Sequence, residues 1–207
     1  MRQNKINKKF VYLISPNKIK NEIFYTNLAL ILSTGKVSFF QLRLKKETNP
    51  KKLIIGKKIK RICKKYKVKF LINDDPLLAK KLNADGCHLG QKDMDLTKAR
   101  EILKKKIMGV TCHNSITLAK SAIAANADYL AFGGFYASKT KIIKYRASLT
   151  ILKSIKKITS LPIVAIGGIR LNNYKKLLLN KANFLAISGY IWNNKRYKPL
   201  EAIKKLK

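Results

Sequence analysis

Half of the acidic residues of this chain lie in one short stretch. It holds 10 Asp and Glu against 46 Lys and Arg, and five of those ten (Asp74, Asp75, Asp85, Asp93 and Asp95) fall within "DDPLLAKKLNADGCHLGQKDMD". Carboxylates beside an amide are hard oxygen ligands, which suit Mg²⁺ shared with the phosphate oxygens of a substrate. Asn73, Asp74 and Asp93 are the candidates for that chemistry. Asp75, before Pro76, and Asp95, before Leu96, read instead as helix caps, and Asp85, before Gly86, as structural. Upstream, Gln41, Arg43 and Lys45 of "QLRLK" stand at alternate positions and so share one side of a strand. Arg, forked and planar, with Lys, a point charge, makes an anion clamp. The plainer reading of Lys45 and Lys46 is the start of a solvated loop. A clamp beside an acidic pair makes electrostatic sense when a divalent ion and a diphosphate lie between them.

Further candidates follow along the chain. In "GVTCHN", Thr111 offers a hydroxyl to a phosphate, and His113 is a candidate acid or base, although a lone His beside a helix start is more often structural; His88 is weighed lower still. "SKTK" brings Ser138, Thr140 and Lys141 together, two hydroxyls and an ammonium in four residues. "AIGGI" and "AISG" present Gly167, Gly168, Ile187 and Ser188, whose backbone amides suit a phosphate seat. No Ser-His-Asp or Cys-His arrangement stands out.

These residues gain meaning from the elements that must hold them. Eight β-type runs (10–15, 37–44, 68–73, 85–90, 107–112, 128–134, 162–168 and 184–189) alternate with segments of helical periodicity (21–34, 50–67, 76–82, 96–105, 115–126, 147–159, 172–180 and a last helix after Pro199). Regular alternation implies parallel strands joined by helical crossovers. Eight strands with eight helices is the count of a closed (β/α)₈ TIM barrel, whose chemistry sits at the C-terminal strand ends, where Gln41, Asn73, Asp74, Thr111 and Gly168 fall. An open doubly wound sheet explains the alternation too, but no G-x-G-x-x-G follows the first strand and no phosphate-loop motif occurs. One α/β domain over residues 1–207 is expected, with no internal repeat or linker standing out.

Composition narrows the function. The formal net charge of +36 invites a nucleic-acid reading. However, 39 of the 46 basic residues are Lys, spread over the whole length in helix-like segments such as "KKLIIGKKIKRICKKYK", as on solvated helix faces. Nonspecific attraction to polyanions and phosphorylated metabolites is expected, and no specific nucleic-acid partner. Three widely spaced cysteines (Cys63, Cys87, Cys112) fit neither a disulfide framework nor a thiolate metal site. No apolar run is long enough to span a membrane and the start resembles no signal peptide, so a cytoplasmic protein without a membrane partner is expected. The sequence is compatible with a monomer or a homo-oligomer.

Six of these stretches, in order and at the right strands, resemble the thiamine-phosphate synthase family over nearly the whole chain. "QLRLK" resembles its Q-L-R-x-K, "LIND" its strand-three N-D, and "ADGCHLGQKDMDL" its A-D-G-x-H-L-G-Q-x-D. "GVTCHN" is similar to G-x-S-x-H, "SKTK" to T-x-T-K, and "AIGGI" and "AIS" to its last two strand ends. The resemblance implies a transferase that joins hydroxymethylpyrimidine diphosphate to thiazole phosphate with release of diphosphate. Gln41, Arg43, Lys45, Asn73, Thr111 and Lys141 would hold the pyrimidine diphosphate. Asp74 and Asp93 would hold Mg²⁺, and Ser138, Thr140, Gly168, Ile187 and Ser188 the thiazole phosphate. Arg43, Lys45 and Lys141 would be the catalytic groups of a dissociative reaction. Thr111 and Ser138 exchange the family's Ser and Thr yet keep a hydroxyl. Gly134 and Ala137 replace its usual prolines, and "IIKYRASL" lacks its Pro-x-Gly, so this loop is expected to be looser or reshaped. Two alternatives stand beside the synthase: a thiazole tautomerase-like barrel, which tends to lose the clamp and metal carboxylates kept here, and a phosphate- or polyanion-binding protein on a barrel scaffold.

Overall fold

Eight parallel strands close into a barrel in chain order in the computed structural model, which describes residues 9–137 and 145–207. They are β1 (Val11–Ile14), β2 (Val37–Leu42), β3 (Lys69–Asn73), β4 (Gly86–Leu89), β5 (Ile107–His113), β6 (Tyr129–Gly133), β7 (Ile163–Ile166) and β8 (Phe184–Ile187). Closure is made by β1 pairing with β8, Val11 opposite Leu185 and Leu13 opposite Ile187. The helices are α1 (Ile23–Ser33), α2 (Asn49–Lys65), α3 (Pro76–Lys81), α4 (Leu96–Leu103), α5 (Ile116–Ala124), α6 (Leu149–Lys156), α7 (Tyr174–Leu179), α8 (Gly189–Trp192) and α9 (Pro199–Lys205). Where eight helices were expected, the described residues hold nine. The extra one, α8, has four residues and is too short to leave a periodic signal in sequence.

Strand alternation sorts the apolar residues into two cores. Side chains on one face of six of the strands (Tyr12, Ile14, Phe39, Leu71, Tyr129, Ala131, Val164 and Ala186) fill the barrel interior. Those on the other face, such as Leu13, Phe40, Ile72, Leu130 and Ile187, pack outward beneath the helices. Parity along a strand therefore decides which residues reach the barrel mouth.

Although no internal repeat stands out in the sequence, three helix ends share a short pattern. Asn83, Asn126 and Lys181 take left-handed φ values of 46°, 60° and 78°. The following Ala84, Ala127 and Ala182 return their N–H to the helix at Ala79, Ala122 and Leu177, the Schellman closure. Next come Asp85, Asp128 and Asn183, whose side chains accept the N–H of Phe70, Met108 and Ile163 on the preceding strand at 2.9, 2.7 and 2.8 Å. "NADG", "NADY" and "KANF" are thus one device used at the starts of β4, β6 and β8, on the barrel end opposite the mouth. Asp85 is structural, as expected, and Arg100 pairs with Asp128 at 2.8 Å. The other two acids read as caps also act as caps: Asp75 accepts from Leu78 N–H at 2.9 Å, and Asp95 from Thr97 N–H at 2.9 Å.

Candidate active site

Two acids of the cluster remain at the mouth, and they meet. The carboxyl groups of Asp74 and Asp93 lie within hydrogen-bonding reach of each other. Asp74 follows β3 in the left-handed region, φ 64°, and its N–H donates to His88 O at 2.8 Å across to β4. Asp93 is drawn into a tight turn by Gly90, whose N–H donates to Asp93 Oδ2 at 2.6 Å. Burial raises both carboxyls, but the hydrogen bonds from Asp93 and Lys45 outweigh it at Asp74 and hold that group below the usual carboxylate range. Asp93 goes the other way, raised by burial and then by its neighbour Asp74. Two close carboxyls that cannot both ionise freely mark a place where positive charge is wanted.

The basic side supplies part of that charge. Lys45, in the turn after β2 with its side chain 54% exposed, pairs through Nζ with Asp74 Oδ2 at 2.9 Å. Arg43 donates its backbone N–H to Ser15 Oγ at 2.9 Å and a guanidinium N–H to Asn17 Oδ1 at 3.3 Å. Partial burial pushes the guanidinium below its ordinary value, and the charge of Asp74 opposes that shift. Arg43, Lys45, Asp74 and Asp93 therefore share one rim of the barrel. Among the described residues no three His, Cys, Asp or Glu side chains gather as a self-sufficient metal site. A cation here would need oxygens from a ligand to complete its shell, which is the habit of Mg²⁺ on phosphates.

Below this rim runs a buried polar chain that sequence reasoning missed. Gln41 is 2% exposed, and its Nε2 lies 3.2 Å from Tyr12 Oη. Tyr12 Oη is 2.8 Å from Tyr129 Oη, which is 2.8 Å from His88 Nδ1. His88 Nε2 is in turn 2.8 Å from Thr111 Oγ1. Residues from β2, β1, β6, β4 and β5 are linked across the barrel, and His88, weighed below His113, proves to be its centre. His113 instead lies against Tyr145, ring centroids 4.4 Å apart and the planes tilted by 37°. The signal available in sequence was parity: Tyr12, His88 and Tyr129 carry polar tips at inward positions of otherwise apolar strands. Gly109 makes the room, since a Cβ there would lie 1.8 Å from the Tyr129 ring.

Across the mouth, Gly167 and Gly168 have a structural reason that is independent of any ligand. Gly168, at φ 60°, would place a Cβ 2.3 Å from Ala137 O, and Tyr136 N–H donates to Gly167 O at 3.1 Å, so the loop after β6 packs directly on the turn after β7. Ile187 points its side chain into the outer core and can offer the mouth only backbone. The Ser188 hydroxyl donates to Ser15 O at 3.0 Å, so its single proton is committed to the end of β1. The base of the loop after β6 is closed by paired bonds, Gly134 N–H to Tyr145 O at 3.0 Å and Ala147 N–H to Gly134 O at 3.1 Å. Ser138, Thr140 and Lys141 lie outside the described residues.

Comparison with known proteins bears on the fold and the family. Residues 11–191 match the family model described as thiamine monophosphate synthase. The chain is 84% identical over 207 residues to the thiamine-phosphate synthase of Pelagibacter ubique (strain HTCC1062), covering 100% of both chains. It is 37% identical over 184 residues to that of Nitrosomonas eutropha (strain DSM 101675 / C91 / Nm57), covering 88% of this chain and 86% of the relative. The solved thiamine phosphate pyrophosphorylase from Pyrococcus furiosus superposes with a TM-score of 0.83 at 28% identity, covering 98% of this chain and 96% of that one. With a closed eight-stranded barrel, opposite charges converging at its mouth and these relatives, the chain belongs to the thiamine monophosphate synthase family.

Proposed function

We propose that this enzyme joins hydroxymethylpyrimidine diphosphate to thiazole phosphate, forming thiamine phosphate and releasing diphosphate, by a dissociative route. The observation that carries the reading is the Lys45–Asp74 ion pair at 2.9 Å with Asp93 against it and Arg43 on the same rim. Arg43 and Lys45 clamp the diphosphate, and Gln41, Asn73, Thr111 and Lys141 help them hold the pyrimidine diphosphate. Because charge builds on the departing diphosphate, these groups stabilise the transition state more than the bound substrate. The pyrimidine-methyl cation left behind is captured by the thiazole nitrogen, whose phosphate is held by Ser138, Thr140 and the backbone of Gly168, Ile187 and Ser188.

Asp74 and Asp93, two carboxyls close together at the mouth, would hold Mg²⁺. When bound, the ion supplies charge neutralisation on the diphosphate oxygens. The protein needs no nucleophile for this chemistry, and its thiols are poorly suited to act as one. All three are buried, and burial pushes the Cys112 thiol up to about 12. No helix among the described residues is long and apolar enough to cross a membrane. The proposed place of action, on small-molecule substrates, is the cytoplasm.

The test is direct. Purified protein with both ring phosphates and Mg²⁺ should yield thiamine phosphate by mass spectrometry, and excess chelator should stop it. Undiminished product in chelator rejects the metal role, and no product under any condition rejects the reaction.

A further inference from the structure

The buried chain from Gln41 to Thr111 has a direction, and the direction bears on what the mouth presents. It rests on the functional reading above only in giving Gln41 and Thr111 a ligand to hold. The Gln41 amide nitrogen can only donate, so Tyr12 Oη accepts there, at 3.2 Å. A hydroxyl has one proton, so Tyr12 passes its own to Tyr129 Oη at 2.8 Å, and Tyr129 passes its own to His88 Nδ1 at 2.8 Å. With Nδ1 accepting, a neutral imidazole carries its proton on Nε2 and donates to Thr111 Oγ1 at 2.8 Å. Thr111 accepts from beneath, and its own hydroxyl proton is released to point elsewhere. One N–H of the Gln41 amide is likewise committed to Tyr12, leaving its second N–H and its oxygen for a ligand.

The alternative arrangement turns every bond around, with the amide oxygen accepting from Tyr12 and Thr111 donating into His88. That arrangement leaves Thr111 with no donor for an anion. The tyrosines cannot leave the chain cheaply. Tyr12 and Tyr129 are 2% and 3% exposed, and an unpaired hydroxyl in such a place costs about 1–3 kcal/mol. Burial also pushes both hydroxyls well above their ordinary titration, so they remain neutral donors.

We infer that Tyr12, Tyr129 and His88 form a positioning relay that fixes His88 as the Nε2–H tautomer and thereby aims the Thr111 hydroxyl, as a donor, at the diphosphate. None of the three needs to touch substrate. They act through Gln41 and Thr111, from β1, β6 and β4 onto β2 and β5.

The chain has only 2 His, so ¹⁵N-histidine NMR of the intact protein resolves the tautomer, with a His88→Asn sample identifying the signals. The wild type should show His88 as Nε2–H; a predominantly Nδ1–H ring overturns the inference. In Tyr129→Phe the tautomer should become mixed, and the KM for pyrimidine diphosphate should rise about tenfold, the order of one misdirected hydrogen bond, while that for thiazole phosphate stays unchanged. An unaltered tautomer, or an equal rise in both KM values, would mean that Tyr129 serves packing alone. The wild-type NMR result does not depend on turnover, so a protein that failed to couple the two rings would reject the proposed function without touching this measurement.

Discussion

Replacing Asp74 by Asn tests the site while sparing the fold, because stability and activity should separate. The residue sits at φ 64°, a region that Asn visits readily and Ala enters at a cost of about 1–2 kcal/mol. Asn is therefore the clean probe. The substitution removes the 2.9 Å pair with Lys45, whose side chain is 54% exposed, and pairs this open to water contribute about 0.2–1 kcal/mol. It also removes a carboxyl held against Asp93, which offsets part of that loss. The net change should stay under about 1 kcal/mol, or under about 4 °C in melting temperature for a chain of this size. Coupling activity at fixed Mg²⁺ should nevertheless fall at least about 100-fold, since groups one layer outside a metal already reach that range. The assay pairs a thermal melt with product formation across an Mg²⁺ titration, where excess metal should recover part of the rate. Full activity in a normally folded variant would refute the assignment of Asp74, and a melting loss of about 10 °C or more, far beyond the estimate from exposed pairs, would show that its role is structural.

Three other outcomes follow from the same geometry. Arg43→Ala should weaken pyrimidine diphosphate binding by several kcal/mol, about the size of a charge-assisted bond lost from a partly desolvated site, readable by calorimetry with the intact wild type as reference. Asp128→Ala at the opposite end strips the buried Met108 N–H of its 2.7 Å acceptor and should cost about 1–3 kcal/mol in urea unfolding with kcat unchanged. Alkaline pH should destabilise the fold: Tyr12 and Tyr129 are raised above 10.0 and Cys63, Cys87 and Cys112 above 9.0, mainly by burial, so their contribution is complete below those ordinary values and is lost as pH rises past them. Urea titrations up to pH ~10.5 should show stability falling by up to about 1.4 kcal/mol per pH unit for each such group, and less steeply in Tyr12→Phe.

The sequence by itself determined much of what depends on near neighbours along the chain, though not the four-residue α8. Alternating apolar runs and helical periodicity specified eight strands and the barrel class, and Asp75 before Pro76 and Asp95 before Leu96 announced their caps, because a cap reaches only three residues ahead. Parity within "QLRLK" put Gln41 and Arg43 on one face. Only the tertiary structure decided which of these residues meet. Tyr12 and Tyr129 are 117 positions apart and become hydrogen-bonding partners solely because the barrel closes. The proton of Ser188 goes to Ser15 only because β8 returns beside β1, and Asp74 reaches Lys45 and Asp93 only because three strand ends converge on one rim. Local propensity carries no term for contacts of that separation; they arise from packing alternate side chains into one closed interior, where each buried polar tip must find a partner or destabilise the fold.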